Sequence, residues 1–108
     1  MKLFKAIAAA AVISTSLSTA TPAEARNGWR HADTDNKGNT LYVKPIGCSG
    51  NICTAQFSRT NGKDSTDEIN CSSWHYRIIN LGGQRVGGTW SPIMPESIYE
   101  SGAEIACR

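Results

Sequence analysis

The sequence predicts an α+β fold, an antiparallel β-sheet of about four to six strands followed by one C-terminal helix, stapled by disulfides. Three observations carry this reading. Runs rich in β-branched and aromatic residues alternate with turn formers about every 8–12 residues, the pattern of sequential antiparallel strands. The apolar spacing changes to a helical period after Pro95. Four cysteines lie behind an N-terminal segment laid out like an export signal, which marks a disulfide framework.

That N-terminal segment is excluded from the fold. Lys2 and Lys5 supply a positive start, and Ala6 to Ile13 is an unbroken apolar run. The run is too short for a membrane span, which needs about 20 apolar residues. Ala23-Glu24-Ala25 is the small-x-small pattern that signal peptidase cleaves after. Residues 1–25 therefore read as a cleaved signal peptide, with cleavage between Ala25 and Arg26. The mature chain, residues 26–108, reads as a single domain. No cysteine stands near the cut, so no lipid anchor is expected, and the destination is the bacterial periplasm or the medium. A domain this small buries only about 60% of its unfolded surface, so its core is thin.

The elements follow in order. Trp29 stands in the opening stretch, Arg26 to His31. The tract Asp33-Thr34-Asp35-Asn36-Lys37-Gly38-Asn39 is made of turn formers. Thr40 to Val43 reads as a strand ended by Pro45. Ser49-Gly50-Asn51 marks a turn, Ile52 to Arg59 a second strand, and Asn61-Gly62 another turn. Lys63 to Asp67 reads as a solvated polar loop. Glu68 to Leu81 is the longest strand candidate, with Trp74, Tyr76 and Ile78 on one face. Gly82-Gly83 breaks it. Gln84 to Val86 and Thr89 to Ser91 are short strands separated by Gly87-Gly88. Pro95-Glu96 suits a helix start. Ile98, Gly102, Ile105 and Ala106 keep helical spacing up to Cys107, and Gly102 leaves room for close packing on a sheet.

Composition excludes several functions. The whole chain carries a net charge of +2, and loss of Lys2, Lys5 and Glu24 lowers it by one. The signs are scattered with no basic stripe, which argues against nucleic acid as a partner. The mature chain has no second hydrophobic stretch, so no transmembrane segment is expected.

Candidate chemistry is sparse. Cys48 and Cys53 flank a turn former, and a hairpin brings such positions to roughly 5.5 Å between Cα atoms, which is disulfide distance. The spacing is not the two-residue C-x-x-C of a redox site. Four cysteines with His31 and His75 lack the close pairs of a zinc site. Asp33 to Gly38 partly resembles a calcium loop but has no glutamate at its twelfth position. No cofactor and no metal are expected. There is no nucleophile elbow, Asp64, Asp67 and Glu68 read as solvated, and no catalytic residue is assigned. Trp29, Trp74 and Trp90 read mainly as core. Trp90, beside Gly87-Gly88, is the candidate binding anchor.

Trp29, Tyr42-Val43, Cys71 to Arg77, Gly82-Gly83, Trp90-Ser91-Pro92-Ile93, Pro95-Glu96-Ser97 and Cys107 together resemble the surface-adhesin protein E family of small exported bacterial proteins. The likeness spans Trp29 to Cys107. It implies a C-terminal helix packed on the antiparallel sheet, and a sheet-to-helix disulfide that maps onto Cys71 and Cys107, the pair left once Cys48 and Cys53 are joined. It also implies attachment to a protein partner at the cell envelope or outside the cell. Cys48 and Cys53 look like an addition to the family pattern. The expected function is a secreted or periplasmic, non-enzymatic, adhesin-like binding protein, with homodimerisation through sheet edges open to it. The alternatives are a secreted accessory or inhibitor-type protein acting through the Cys48–Cys53 loop and, last, a small hydrolase.

Overall fold

The computed structural model describes residues 28–108; the expected signal peptide and its Ala25–Arg26 cleavage point lie outside them. The described chain is one antiparallel sheet with a single helix on one face. Its elements are β1 (Arg30–Thr34), β2 (Thr40–Ser49), β3 (Ile52–Arg59), β4 (Ser65–Asn70), β5 (His75–Leu81), β6 (Gln84–Arg85), β7 (Ser91–Pro92) and α1 (Ile98–Ala106). The sheet order is β1-β2-β3-β4-β5-β6, with β7 also on β5. That is seven strands among the described residues, against the four to six expected, because the two-residue edge pieces count separately.

Alternation places the core. Leu41 and Val43 of β2, Ala55 and Phe57 of β3 and Ile69 of β4 point to one face, where Ala103, Ile105 and Ala106 of α1 and Ile93 meet them. Phe57 stacks on Tyr99 with ring centroids 4.9 Å apart, and Tyr76 meets Tyr99 at 4.6 Å. The other face of the sheet is not covered by the helix.

Three stretches of the sheet differ from the sequence reading. β2 does not stop at Pro45: it runs on to Ser49 through a register shift between Pro45 and Gly47. A bulge absorbs the missing proline donor and lets the hairpin continue to the Cys48↔Cys53 pair. Second, Glu68 to Leu81 is not one strand. Asn70 ends β4, its Oδ1 accepting from the backbone N–H of Ser72 and Ser73 and from the Ser72 hydroxyl. This Asx-type turn reverses the chain, and Trp74 closes it with φ 62°. Cys71 therefore sits in the β4–β5 turn rather than in a strand. Third, Lys63 to Asp67 is not all loop: Ser65 and Asp67 are buried residues of β4.

The helix starts later than Pro95. Glu96 has φ 60°, outside the right-handed helical region, so the first turn waits for Ser97. The Ser97 hydroxyl accepts from the Glu100 N–H at 3.1 Å and donates to Met94 O at 2.7 Å. Gly82-Gly83 joins β5 to β6 in a two-residue hairpin with φ 60° and 86°, a turn in which both central residues need positive φ.

Candidate functional site

The cysteines form two bridges, Cys48–Cys53 and Cys71–Cys107. The first closes the β2–β3 hairpin. The second ties the β4–β5 turn to the end of α1. The bridges touch, with Cys53 Sγ 3.5 Å from Cys71 Sγ. The sulfurs of Cys53, Cys71 and Cys107 lie within 4.8 Å of one another, but each is already bonded to another sulfur. This compactness comes from the bridges and leaves no thiolate for a metal.

The histidines do not meet. His31 is on β1, its Nε2 2.8 Å from Thr34 Oγ1, whereas His75 is on β5, its Nδ1 donating to Ser73 O at 2.9 Å. The tract from Asp33 to Gly38 is a hairpin turn. Asp35 Oδ1 accepts from the N–H of Lys37 and Asn39, and Oδ2 from Asn39 Nδ2. Those contacts hold the Asp35 carboxyl below the usual carboxylate range.

Asp67 overturns its expected place in a solvated loop. Its side chain is 0% exposed and faces the core. Tyr99 donates its hydroxyl to Asp67 Oδ2 at 2.5 Å, while Oδ1 has no partner. Burial raises the carboxyl pKa, opposed by the Tyr99 hydrogen bond. Burial, with the Asp67 charge beside it, pushes the Tyr99 phenol far above its usual value. The pair tethers α1 to β4. A hydrophilic stretch hid this from sequence reading; the one available signal was the alternation of Ser65, Asp67 and Ile69.

None of the three tryptophans belongs to the fully buried core, contrary to the main expectation. A sheet with one short helix offers too thin a layer to enclose an indole, and Phe57, Leu41, Ile69 and Val43 fill it. Trp74 lies at the core margin and donates Nε1–H to Glu100 Oε2 at 3.1 Å. Trp29 and Trp90 lie on the uncovered face.

The setting of Trp90 follows from the edge of the sheet. After β6, Val86 and Gly88 donate to Ile79 O and Ile78 O, and β7 then pairs with β5 at Tyr76 and His75. The segment runs beside β5 as an interrupted strand, and the break falls at Thr89-Trp90. There the Arg77 guanidinium lies over the indole, 4.7 Å from the ring centroid. Arg77 Nε also donates to Glu68 Oε1 at 2.8 Å, the one ion pair among the described residues. Trp90 stays 39% exposed. Beside it opens a cleft of about 690 Å³ lined by Thr66, Arg77, Asn80 and Arg85, with Val86 to Gly88 as its wall. A smaller cavity of about 190 Å³ adjoins it, where Trp29 packs by Gln56, Thr66 and Asn80.

The architecture is thus a disulfide-stapled sheet with one helix-covered face and one open, aromatic- and arginine-bearing face. No family model, no curated protein and no solved structure matches the chain at a significant level. Among the described residues, no helix is long and apolar enough to cross a membrane.

Proposed function

We propose that the chain is an exported, non-enzymatic binding protein of the bacterial envelope, adhesin-like in mode, which recognises its ligand with the sheet face opposite α1. The observation that carries this is Trp90, held half-exposed under the guanidinium of Arg77, a residue that itself lines an open cleft. Aromatic and arginine side chains that are ordered yet accessible are the residue types that dominate binding hot spots. The likeness to the surface-adhesin protein E family supports the same reading, as does the export-signal layout of residues 1–25. Binding of the labelled exported protein to whole cells and to envelope fractions tests it. Trp90→Ala and Arg77→Ala are expected to lower binding at least tenfold, with Glu104→Ala, on the exposed side of α1, as a neutral control. Equal binding by all four proteins would refute the assignment of this face.

One observation favours the inhibitor-type alternative. The β2–β3 hairpin tip, from Gly47 to Asn51, is exposed and cross-linked, and Ile46 at its base is 58% exposed. A rigid loop with an apolar residue beside it suits insertion into another protein. In the same assay, Ile46→Ser with Asn51→Ala would abolish binding if the tip were the contact, and is expected not to.

A further inference from the structure

Five strands each give one side chain to a continuous row across the open face. Lys44, Gln56, Thr66, Asn80 and Arg85 are successive cross-strand partners from β2 to β6. Directly paired residues project to the same face, and strands stand about 4.8 Å apart, so the row runs for roughly 20 Å across the strands. The backbone groups beneath it are engaged in the ladder. The row therefore offers hydrogen bonds from side chains alone: two amides and a hydroxyl between an ammonium and a guanidinium.

Two indoles flank this row. Trp29 lies beside Gln56, Thr66 and Asn80, and Trp90 beside Arg77. Arg77 and Arg85 both line the larger cleft, where no carboxylate lies among the described lining residues, and Asp64 lines the smaller cavity. Glu68 engages Arg77 through Nε, so the terminal guanidinium nitrogens still point their fork elsewhere. The cleft wall is set closely against β5: a Cβ on Gly88 would lie 2.3 Å from Ile78 O.

We propose that this row is a binding site for an acidic carbohydrate chain, an oligosaccharide bearing uronate carboxylates. A polyhydroxylated ring needs side-chain amides and hydroxyls at regular intervals, flat aromatic faces for its C–H groups, and arginine for its carboxylate. The row places all three together, with the arginines concentrated at one end. An extended peptide would instead seek unpaired backbone at a strand edge, whereas this row crosses the strands. The assignment rests on the open face being the recognition surface.

Calorimetric and tryptophan-fluorescence titration of the exported protein with oligogalacturonate, dextran and poly-L-glutamate tests it. Oligogalacturonate is expected to bind at least tenfold more tightly than dextran or poly-L-glutamate. Arg85→Ala and Asn80→Ala are each expected to weaken it at least fivefold while leaving the thermal midpoint unchanged. Poly-L-glutamate binding as tightly as oligogalacturonate, or oligogalacturonate binding that ignores both variants, would overturn the proposal. Absence of saccharide binding, with the Trp90 and Arg77 variants still defective on cells, would overturn the carbohydrate and leave the face; absence of both effects would remove both.

Discussion

Replacing Gly102 by alanine sets two terms of opposite sign against each other. Gly102 is buried in the middle of α1, where alanine is favoured by about 1 kcal/mol of helix propensity. A Cβ there would lie 2.8 Å from Phe57 Cε2, 2.9 Å from Val43 Cγ2 and 3.0 Å from Leu41 Cδ2. All three neighbours are at most 1% exposed, so none can swing into solvent. Overpacking of such a site costs about 1–3 kcal/mol, because the backbone or several rotamers must shift together. With three buried contacts of 2.8–3.0 Å at once, the steric cost falls in the upper part of that range, about 2–3 kcal/mol, so Gly102→Ala should lose about 1–2 kcal/mol net, with Gly102→Val losing more. Urea unfolding of the oxidised protein measures this as a fall in midpoint at constant slope. An alanine variant as stable as the parent, or more so, would show that α1 sits farther from β2 and β3 than described.

Three further outcomes are expected. In the chain-entropy treatment, removing Cys71–Cys107, with sequence separation 36, should cost about 4 kcal/mol, and removing Cys48–Cys53, with separation 5, about 2 kcal/mol. Urea unfolding of the Cys71→Ala/Cys107→Ala and Cys48→Ala/Cys53→Ala doubles would refute this by the reverse order. The Asp67 carboxyl titrates near 3.8 when unfolded and higher when folded, so the native state holds its proton more tightly. Its contribution to stability is complete below about pH 3.8 and is lost as pH rises through the folded value. Relative to the parent, Asp67→Asn should thus gain stability with rising pH, read as the difference in urea midpoints from pH 3 to 7; a constant difference would contradict the raised value. Ser97→Ala removes the cap on Glu100 N–H and should cost about 1 kcal/mol by thermal melting, with Ser97→Asp recovering most of it.

What was legible in the sequence was whatever local chemistry decides. β3 over Ile52–Arg59, the turn at Asn61-Gly62 and the Gly82-Gly83 hairpin announce themselves through a run of strand-forming residues and through the turn-forming pairs Asn-Gly and Gly-Gly. The switch to helical spacing marks α1, although its first turn depends on Glu96 taking a left-handed conformation that no propensity signals. The split between β4 and β5 was hidden because Trp74-His75-Tyr76 looks like strand. Its cause is Asn70, whose carbonyl oxygen gathers three donors within three residues. Asn followed at two and three positions by serine is a turn signature that the aromatic run outweighed. Asp67 was illegible for another reason: nothing in Ser65-Thr66-Asp67-Glu68 reveals that a tyrosine 32 residues later will bring its hydroxyl there. The row from Lys44 to Arg85 was likewise invisible, since register across five strands is tertiary information. Trp90 could be singled out from its glycine neighbours, but its arginine partner could not.

The way α1 is fastened explains why the opposite face takes no part in holding the helix. Four side-chain links run from the helix to three separate elements: Ser101 Oγ to Asp33 Oδ2 on β1, Tyr99 to Asp67 on β4, and both Glu100 to Trp74 and Cys107 to Cys71 in the β4–β5 turn. With so little apolar volume, these polar and covalent ties fix the helix position that packing alone would leave loose. Every one of them acts from the covered side. Among the described residues the open face, by contrast, holds a single ion pair and a row of half-buried to exposed side chains that no hydrogen bond ties to α1. Substitutions there should change stability by no more than about 0.5 kcal/mol, the range typical of surface sites. Arg85→Ala and Gln56→Ala are therefore expected to separate binding from folding. A loss of more than about 2 kcal/mol in either, a size reserved for buried or networked groups, would show that the row supports the fold and that the two faces are not independent.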